Sequence, residues 1–318
     1  MTRDPRSLLT PRMAGVLDRI ERAGRPKLHT LTPREARAAY EAGAEILEQT
    51  PGRVAHIRDF TLPARDGAVL HARLYRAESA DATASPALLY LHGGGLVIGS
   101  IATHDLLCRD LCARSGGCVV SLDYRLAPEH PFPTAFDDAC DALAWLRASA
   151  ASIGCDAARI AIGGDSAGGA LSASVAIHAR DQRWPLALQL LITPHTSSEP
   201  TASRRAFAQG FLLDAPTIEW FFDLAVPRPQ RSDWRFAPLH ADDVEGVAPA
   251  CIVLAECDPL VDEGLAYADR LRAAGVAVTL DLVRGVTHEF IRMGRALPET
   301  DPAREFAARA LSHAWSRR

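Results

Sequence analysis

Along this chain the apolar residues first recur at helical spacing, then alternate, and then gather into short solid runs. Met13, Val16, Leu17 and Ile20 share one face of a first helix, which Gly24 ends. A second helix is predicted from Thr32, which can cap it, with Pro33 in the first turn and Glu35 completing a capping box; the pattern carries it to about Gln49. Residues 54–62 and 68–75 flank Asp66-Gly67, a turn pair that predicts an antiparallel hairpin. After a loop at 78–86, the runs ALLYLH, CVVSLD, RIAIGG, LALQLLI, ACIVLAE and VAVTLDLV alternate with helical stretches at 105–115, 135–150, 167–179, 263–274 and 303–315. Solid apolar strands separated by helices predict a mostly parallel α/β sheet covered on both faces.

One interval breaks that rhythm. Between 195 and 238 there is no convincing strand, only a helix near 216–226 whose Trp220, Phe221 and Phe222 read as exposed. Such an insertion between sheet strands suits a lid, and the two N-terminal helices, which precede any strand, form either a lid or an appendage. With no internal repeat and no low-complexity linker, the expectation is one domain over 1–318, capped by about 1–50 and about 195–238.

Composition narrows the function classes. A net charge of −4 is small and of the wrong sign for a nucleic-acid surface, and the arginines are interleaved with Asp and Glu. No stretch approaches the ~18 apolar residues of a membrane span, and the start MTRDPRSLLTPRMAG has no signal-peptide core. The expectation is therefore a cytoplasmic protein that binds neither nucleic acid nor membrane. Its seven cysteines are odd in number, scattered through apolar segments and without a CxxC pair, so buried free thiols are expected rather than zinc or redox work.

The candidate chemistry lies where strands end, on loops held by a rigid sheet. Gly164-Asp165-Ser166-Ala167-Gly168 follows the strand RIAIG and opens a helix, the strand–turn–helix setting of a G-x-S-x-G nucleophile elbow. The turn needs small residues two positions either side of Ser166 and leaves its hydroxyl at a helix N-terminus, where a developing anion is favoured. His92-Gly93-Gly94-Gly95 follows the strand ALLYL; the amides of Gly93 and Gly94, with that of Ala167, would form an oxyanion hole, while His92 reads as a loop-holding residue. A phosphate-binding loop is disfavoured, because neither G-x-x-x-x-G-K-[ST] nor G-x-G-x-x-G is present. Asp258 follows ACIVLAEC, and His288 follows the last strand. The order Ser166, Asp258, His288 then fits a nucleophile, a residue that orients the base, and the base itself. Asp262 and Glu263 rival Asp258, but Asp262 is better placed to cap the helix that follows. His130, His178 and His313 read as structural.

The motif HGGG, the segment Tyr124-Arg125-Leu126-Ala127-Pro128-Glu129-His130-Pro131-Phe132-Pro133, the elbow GDSAGG and the run Asp258-Pro259-Leu260-Val261-Asp262-Glu263-Gly264 resemble the hormone-sensitive-lipase-like family of α/β-hydrolases over roughly 88–290. The resemblance implies an eight-stranded, mostly parallel sheet with a helical cap, and no cofactor or metal. It also implies a small-molecule ester substrate with a short to medium acyl chain. The segment from Tyr124 to Pro133 would support the glycine loop. Dimers are common in that family, so the resemblance leaves a homodimer open. Two departures stand out: Glu289 where many relatives have glycine after the histidine, expected to point into solvent, and Thr193 before Pro194 where relatives often have tyrosine. Beside the serine esterase, two further readings stay open. One is the same machinery acting on an amide, lactone or carbamate. The other is a ligand receptor on the same fold, disfavoured because Ser166, Asp258 and His288 are all retained.

Overall fold

Each N-terminal helix starts at a threonine followed by proline, so a side-chain oxygen takes an orphan amide and a fixed φ opens the turn. In the computed structural model, which describes residues 4–81 and 84–316, Thr10 caps α1 (Pro11–Arg22), burying Met13, Val16 and Leu17. Thr32 and Glu35 form the reciprocal capping box of α2 (Pro33–Gly43). This second helix stops at Gly43, short of the expected Gln49. The chain turns away there, and Glu48 is buried with its carboxylate bonded to Arg304.

The hairpin follows as β1 (Val54–Pro63) and β2 (Val69–Ala77), paired antiparallel. Strands and helices then alternate: β3 (Ser85–Leu91), α3 (Asp105–Ser115), β4 (Cys118–Asp123), α4 (Thr134–Ser149), β5 (Cys155–Asp165), α5 (Ala167–Asp181) and β6 (Gln189–Ile192). The insertion supplies a short α6 (Ala202–Ala206) and α7 (Ala215–Ala225), before β7 (Ala250–Cys257), α8 (Val261–Ala273), β8 (Val278–Thr287) and α9 (Thr300–Ser316). The eight strands lie in the order β1-β2-β4-β3-β5-β6-β7-β8, and only β2 opposes its neighbours.

Alternation along the central strand feeds two cores. Leu88 and Tyr90 of β3 enter one face, and Leu89 and Leu91 the other. Each such leucine, fully buried, contributes about 1.5–3 kcal/mol, so the strand ends that carry the loops are firmly fixed. The seven cysteines are buried and unpaired. Among the described residues no helix is long and apolar enough to cross a membrane.

The aromatic helix of the insertion departs from expectation. Phe221 and Phe222 of α7 are buried rather than exposed. Phe222 packs against Phe236 and His195, with the guanidinium groups of Arg204 and Arg231 over its ring. Helical periodicity identifies an apolar face but not whether a partner covers it.

Candidate active site

Strand β5 ends at Asp165 and α5 begins at Ala167, leaving Ser166 alone in the turn with φ 53° and ψ −120°. A left-handed φ is costly for a side-chain-bearing residue and marks stored strain. The turn is held tightly. The Ser166 amide donates to the Ile192 carbonyl at 2.8 Å, and a Cβ added at Gly164 or Gly168 would lie 2.2 or 2.0 Å from the Leu91 carbonyl oxygen. Only glycine fits at either position, because the elbow is pressed against the end of β3.

Asp258 and His288 arrive from the ends of β7 and β8. His288 Nε2 lies 2.9 Å from Ser166 Oγ, and its Nδ1 lies 2.7 Å from Asp258 Oδ2. The other Asp258 oxygen accepts from the Leu260 amide at 2.9 Å, which fixes the carboxylate plane. Both side chains are buried. Burial by itself pulls the His288 pKa down, but the charge and hydrogen bond of Asp258 outweigh it. Glu289 and Asp165 push the same way, so the pKa lies above its ordinary value.

The rival acids do other work. Asp262 does not cap α8; its Oδ2 accepts from the Ser203 amide at 2.7 Å, in the first turn of α6. Glu263 is buried and accepts from the amides of Thr196 and Ser197 and from Arg204. Burial pushes its carboxyl up to about 7 despite those partners. Both acids tie the insertion to the end of the sheet. Among the described residues no group of three or more His, Cys, Asp and Glu side chains is placed to hold a metal ion.

The glycine loop corrects one expectation. The Gly93 amide is already committed to Asp165 Oδ1 at 3.1 Å, so it is not free for a substrate oxygen. Among the described residues the amides of Gly94 and Gly95 have no protein acceptor, and Gly94, Gly95 and Ala167 all line the cavity that holds Ser166. Asp165, the unspecified position of the elbow motif, also accepts from the Tyr90 hydroxyl at 2.6 Å and meets His104 Nε2 at 3.2 Å. Burial would raise its pKa, yet His104, Tyr90 and the charge of Arg292 hold it well below the usual carboxylate range. His92 stacks on Tyr124 at 4.3 Å, and the Tyr124 hydroxyl donates to the His92 carbonyl at 2.6 Å. The segment from Tyr124 thus supports the loop, and the Ala127 amide donates to the Leu96 carbonyl beside it.

Glu289 corrects another expectation. It does not point away into solvent: its Oε1 accepts from the Tyr40 hydroxyl at 3.2 Å, and the residue lines the same cavity as Ser166 and His288. The Tyr40 oxygen in turn accepts from Arg292.

The chain has known relatives. A profile of the alpha/beta hydrolase fold matches residues 88–292. The chain belongs to the α/β-hydrolase fold family. Its place there is in the hormone-sensitive-lipase-like branch. The ethyl acetate hydrolase of Pseudomonas putida is 42% identical over 315 residues, 95% of this chain and 98% of that one. A carboxylic ester hydrolase of Mycobacterium tuberculosis is 42% identical over 260 residues, 78% of this chain and 68% of that one. Among solved structures, an α/β-hydrolase enzyme from the metagenome of Lake Arreo, Spain, superposes with a TM-score of 0.93 at 41% identity, over 96% of this chain and 99% of that one. A thermostable esterase from Pseudomonas putida gives 0.92 at 32% identity, over 98% of each chain.

In this α/β-hydrolase the cavity above Ser166 measures about 890 Å³. The N-terminal segment contributes Ile20, Leu28 and Tyr40 to its walls, and the insertion contributes Phe211, Leu213 and Phe221. The two segments also grip each other: Lys27 Nζ bonds Asp214 at 2.8 Å, and His29 Nδ1 lies 3.0 Å from Thr217 Oγ1. Phe221 lies over the glycine loop, where a Cβ at Gly95 would meet its ring at 2.2 Å. His130, read as structural, stands at this cavity too. Asp165, Gly95 and Tyr40 were not singled out by sequence. The run of three glycines was the one available signal for Gly95, but it does not say which amides face inward.

Proposed function

We propose that the protein is a serine carboxylester hydrolase working through an acyl-enzyme on short- to medium-chain acyl esters. The observation that carries this is the unbroken line from Asp258 through His288 to Ser166, at 2.7 and 2.9 Å, with the serine strained outward at a helix N-terminus. Ser166 Oγ attacks the ester carbonyl while His288 Nε2 takes its proton. The tetrahedral oxyanion is held by the amides of Gly94 and Ala167, with Gly95 replacing Gly93. His288 returns the proton to the departing alcohol. A water molecule, deprotonated by the same nitrogen, then releases the acid and restores the serine. Asp258 keeps the imidazole in the productive tautomer and stabilises its charged form.

The N-terminal segment and the insertion are proposed to act together as a cap on a single domain, since both wall the cavity. Seven unpaired thiols fit a reducing compartment, which supports a cytoplasmic location. A homodimer, common among hydrolases of this family, would sediment at about twice the monomer mass.

The test is hydrolysis of p-nitrophenyl esters from acetate to dodecanoate by the protein and by Ser166→Ala. The rate should peak at short or medium chains and fall by about 10³-fold or more in the variant. A folded protein that turns over none of these esters, or a variant as fast as the parent, would overturn the reading. The same assay with matched amides and lactones separates the ester reading from its relatives.

A further inference from the structure

Glu289 lines the cavity that holds Ser166 and His288, and ester hydrolysis, as proposed, does not use its carboxylate. The residue follows His288 directly and has φ 63°, a left-handed conformation that is costly for a non-glycine residue. Its side chain is anchored on one side only. Oε1 accepts from Tyr40, while among the described residues Oε2 has no protein partner. Tyr40 is itself steadied by Arg292, whose buried guanidinium also donates to the carbonyls of Ala44 and Thr103 and lies near Glu48. Three cations around the cavity are already matched: Lys27 by Asp214, Arg6 by Asp18 and by Glu21, which also lines the cavity, and Arg235 by Asp233. Arg25 is exposed to solvent, where its field is screened.

We infer that Glu289 is a specificity-determining residue whose free oxygen selects esters with a cationic or hydrogen-bond-donating group in the alcohol portion, and rejects those with an anionic one. The inference rests on the assignment of Ser166 and His288 above. In that chemistry the substrate carbonyl turns toward the amides of Gly94 and Ala167, whereas the leaving oxygen must turn toward His288 Nε2. The residue adjoining His288 on the cavity wall therefore flanks the alcohol. A fixed unit charge several ångströms from a substrate charge, in a partly enclosed site, is worth roughly tenfold in kcat/KM for each sign of charge.

The experiment compares kcat/KM for butyrate esters of choline, of its uncharged isostere 3,3-dimethylbutanol and of glycolic acid, in the protein and in Glu289→Gln. The choline ester should be preferred over the glycolate ester by about a hundredfold, compressed at high salt. In Glu289→Gln, with each rate divided by that of the neutral ester to remove general losses, the preference should fall to near unity. Should that variant fold poorly, the salt dependence of the parent preference tests the same point. Equal rates on the cationic and anionic esters, a preference insensitive to salt, or a preference that survives in Glu289→Gln would each overturn the selection alone. Hydrolysis of none of the three would instead overturn the functional reading on which it rests.

Discussion

At the scale of single residues, the pH response of the site depends on what surrounds His288. Burial disfavours its charged form, while the Asp258 carboxylate 2.7 Å from Nδ1 favours it more strongly. A raised pKa means that the imidazolium persists to higher pH, and only the neutral ring can accept the serine proton. kcat/KM should therefore climb with pH through a value above 6.5. Asp258→Asn keeps an oxygen for the Leu260 amide but removes the charge and the acceptor that selects the tautomer. It should cost about 10³–10⁴ in kcat/KM and move the acid limb to lower pH. A pH–rate profile of the variant checks both, and an unmoved limb would count against Asp258 as the dominant influence.

At the scale of elements, the elbow and the glycine loop are joined by one buried carboxylate. Asp165 accepts from Tyr90 on β3, from the Gly93 amide and from His104 near the start of α3. Its depressed pKa gives the sign of its contribution: present above the unfolded carboxylate value near 3.9, and lost only as pH falls below that through the folded value. At neutral pH it is fully in force. Asp165→Asn leaves a buried amide facing donors and should cost about 3 kcal/mol. Thermal melts should show that loss at pH 7, with activity falling further than folded fraction because the glycine loop loosens. The strands were legible because solid apolar runs have few other uses, and the capping box because all its parts are local. The end of α2 was not: helix-favouring residues, Ala-Glu-Ile-Leu-Glu-Gln, continue past Gly43, while Glu48 finds its partner Arg304 across 256 residues. Asp165 was missed and Glu289 misplaced for the same reason, since Tyr40 is 249 residues from Glu289 and Tyr90 is 75 from Asp165.

At the scale of the whole molecule, the sheet fixes three strand ends, and the N-terminal segment and the insertion wall the cavity above them. That Ser166, Asp258 and His288 come together was legible because chain order and strand ends constrain them. The cavity could not, since its walls come from residues as far apart as Ile20 and Phe221. The N-terminal segment is bound to the rest by buried charge: Arg304 of α9 meets Glu48 and Asp110, and Arg292 bonds Tyr40. The central claim, that Ser166 is a nucleophile activated by His288, is tested most directly by reaction with an alkyl p-nitrophenyl phosphonate. Serine attack on phosphorus expels p-nitrophenolate and leaves a stable mimic of the tetrahedral intermediate. The account predicts one p-nitrophenolate released per chain, the phosphonyl group on the peptide carrying Ser166, and no label in Ser166→Ala. Label on another residue, or equal labelling of the variant, would contradict it.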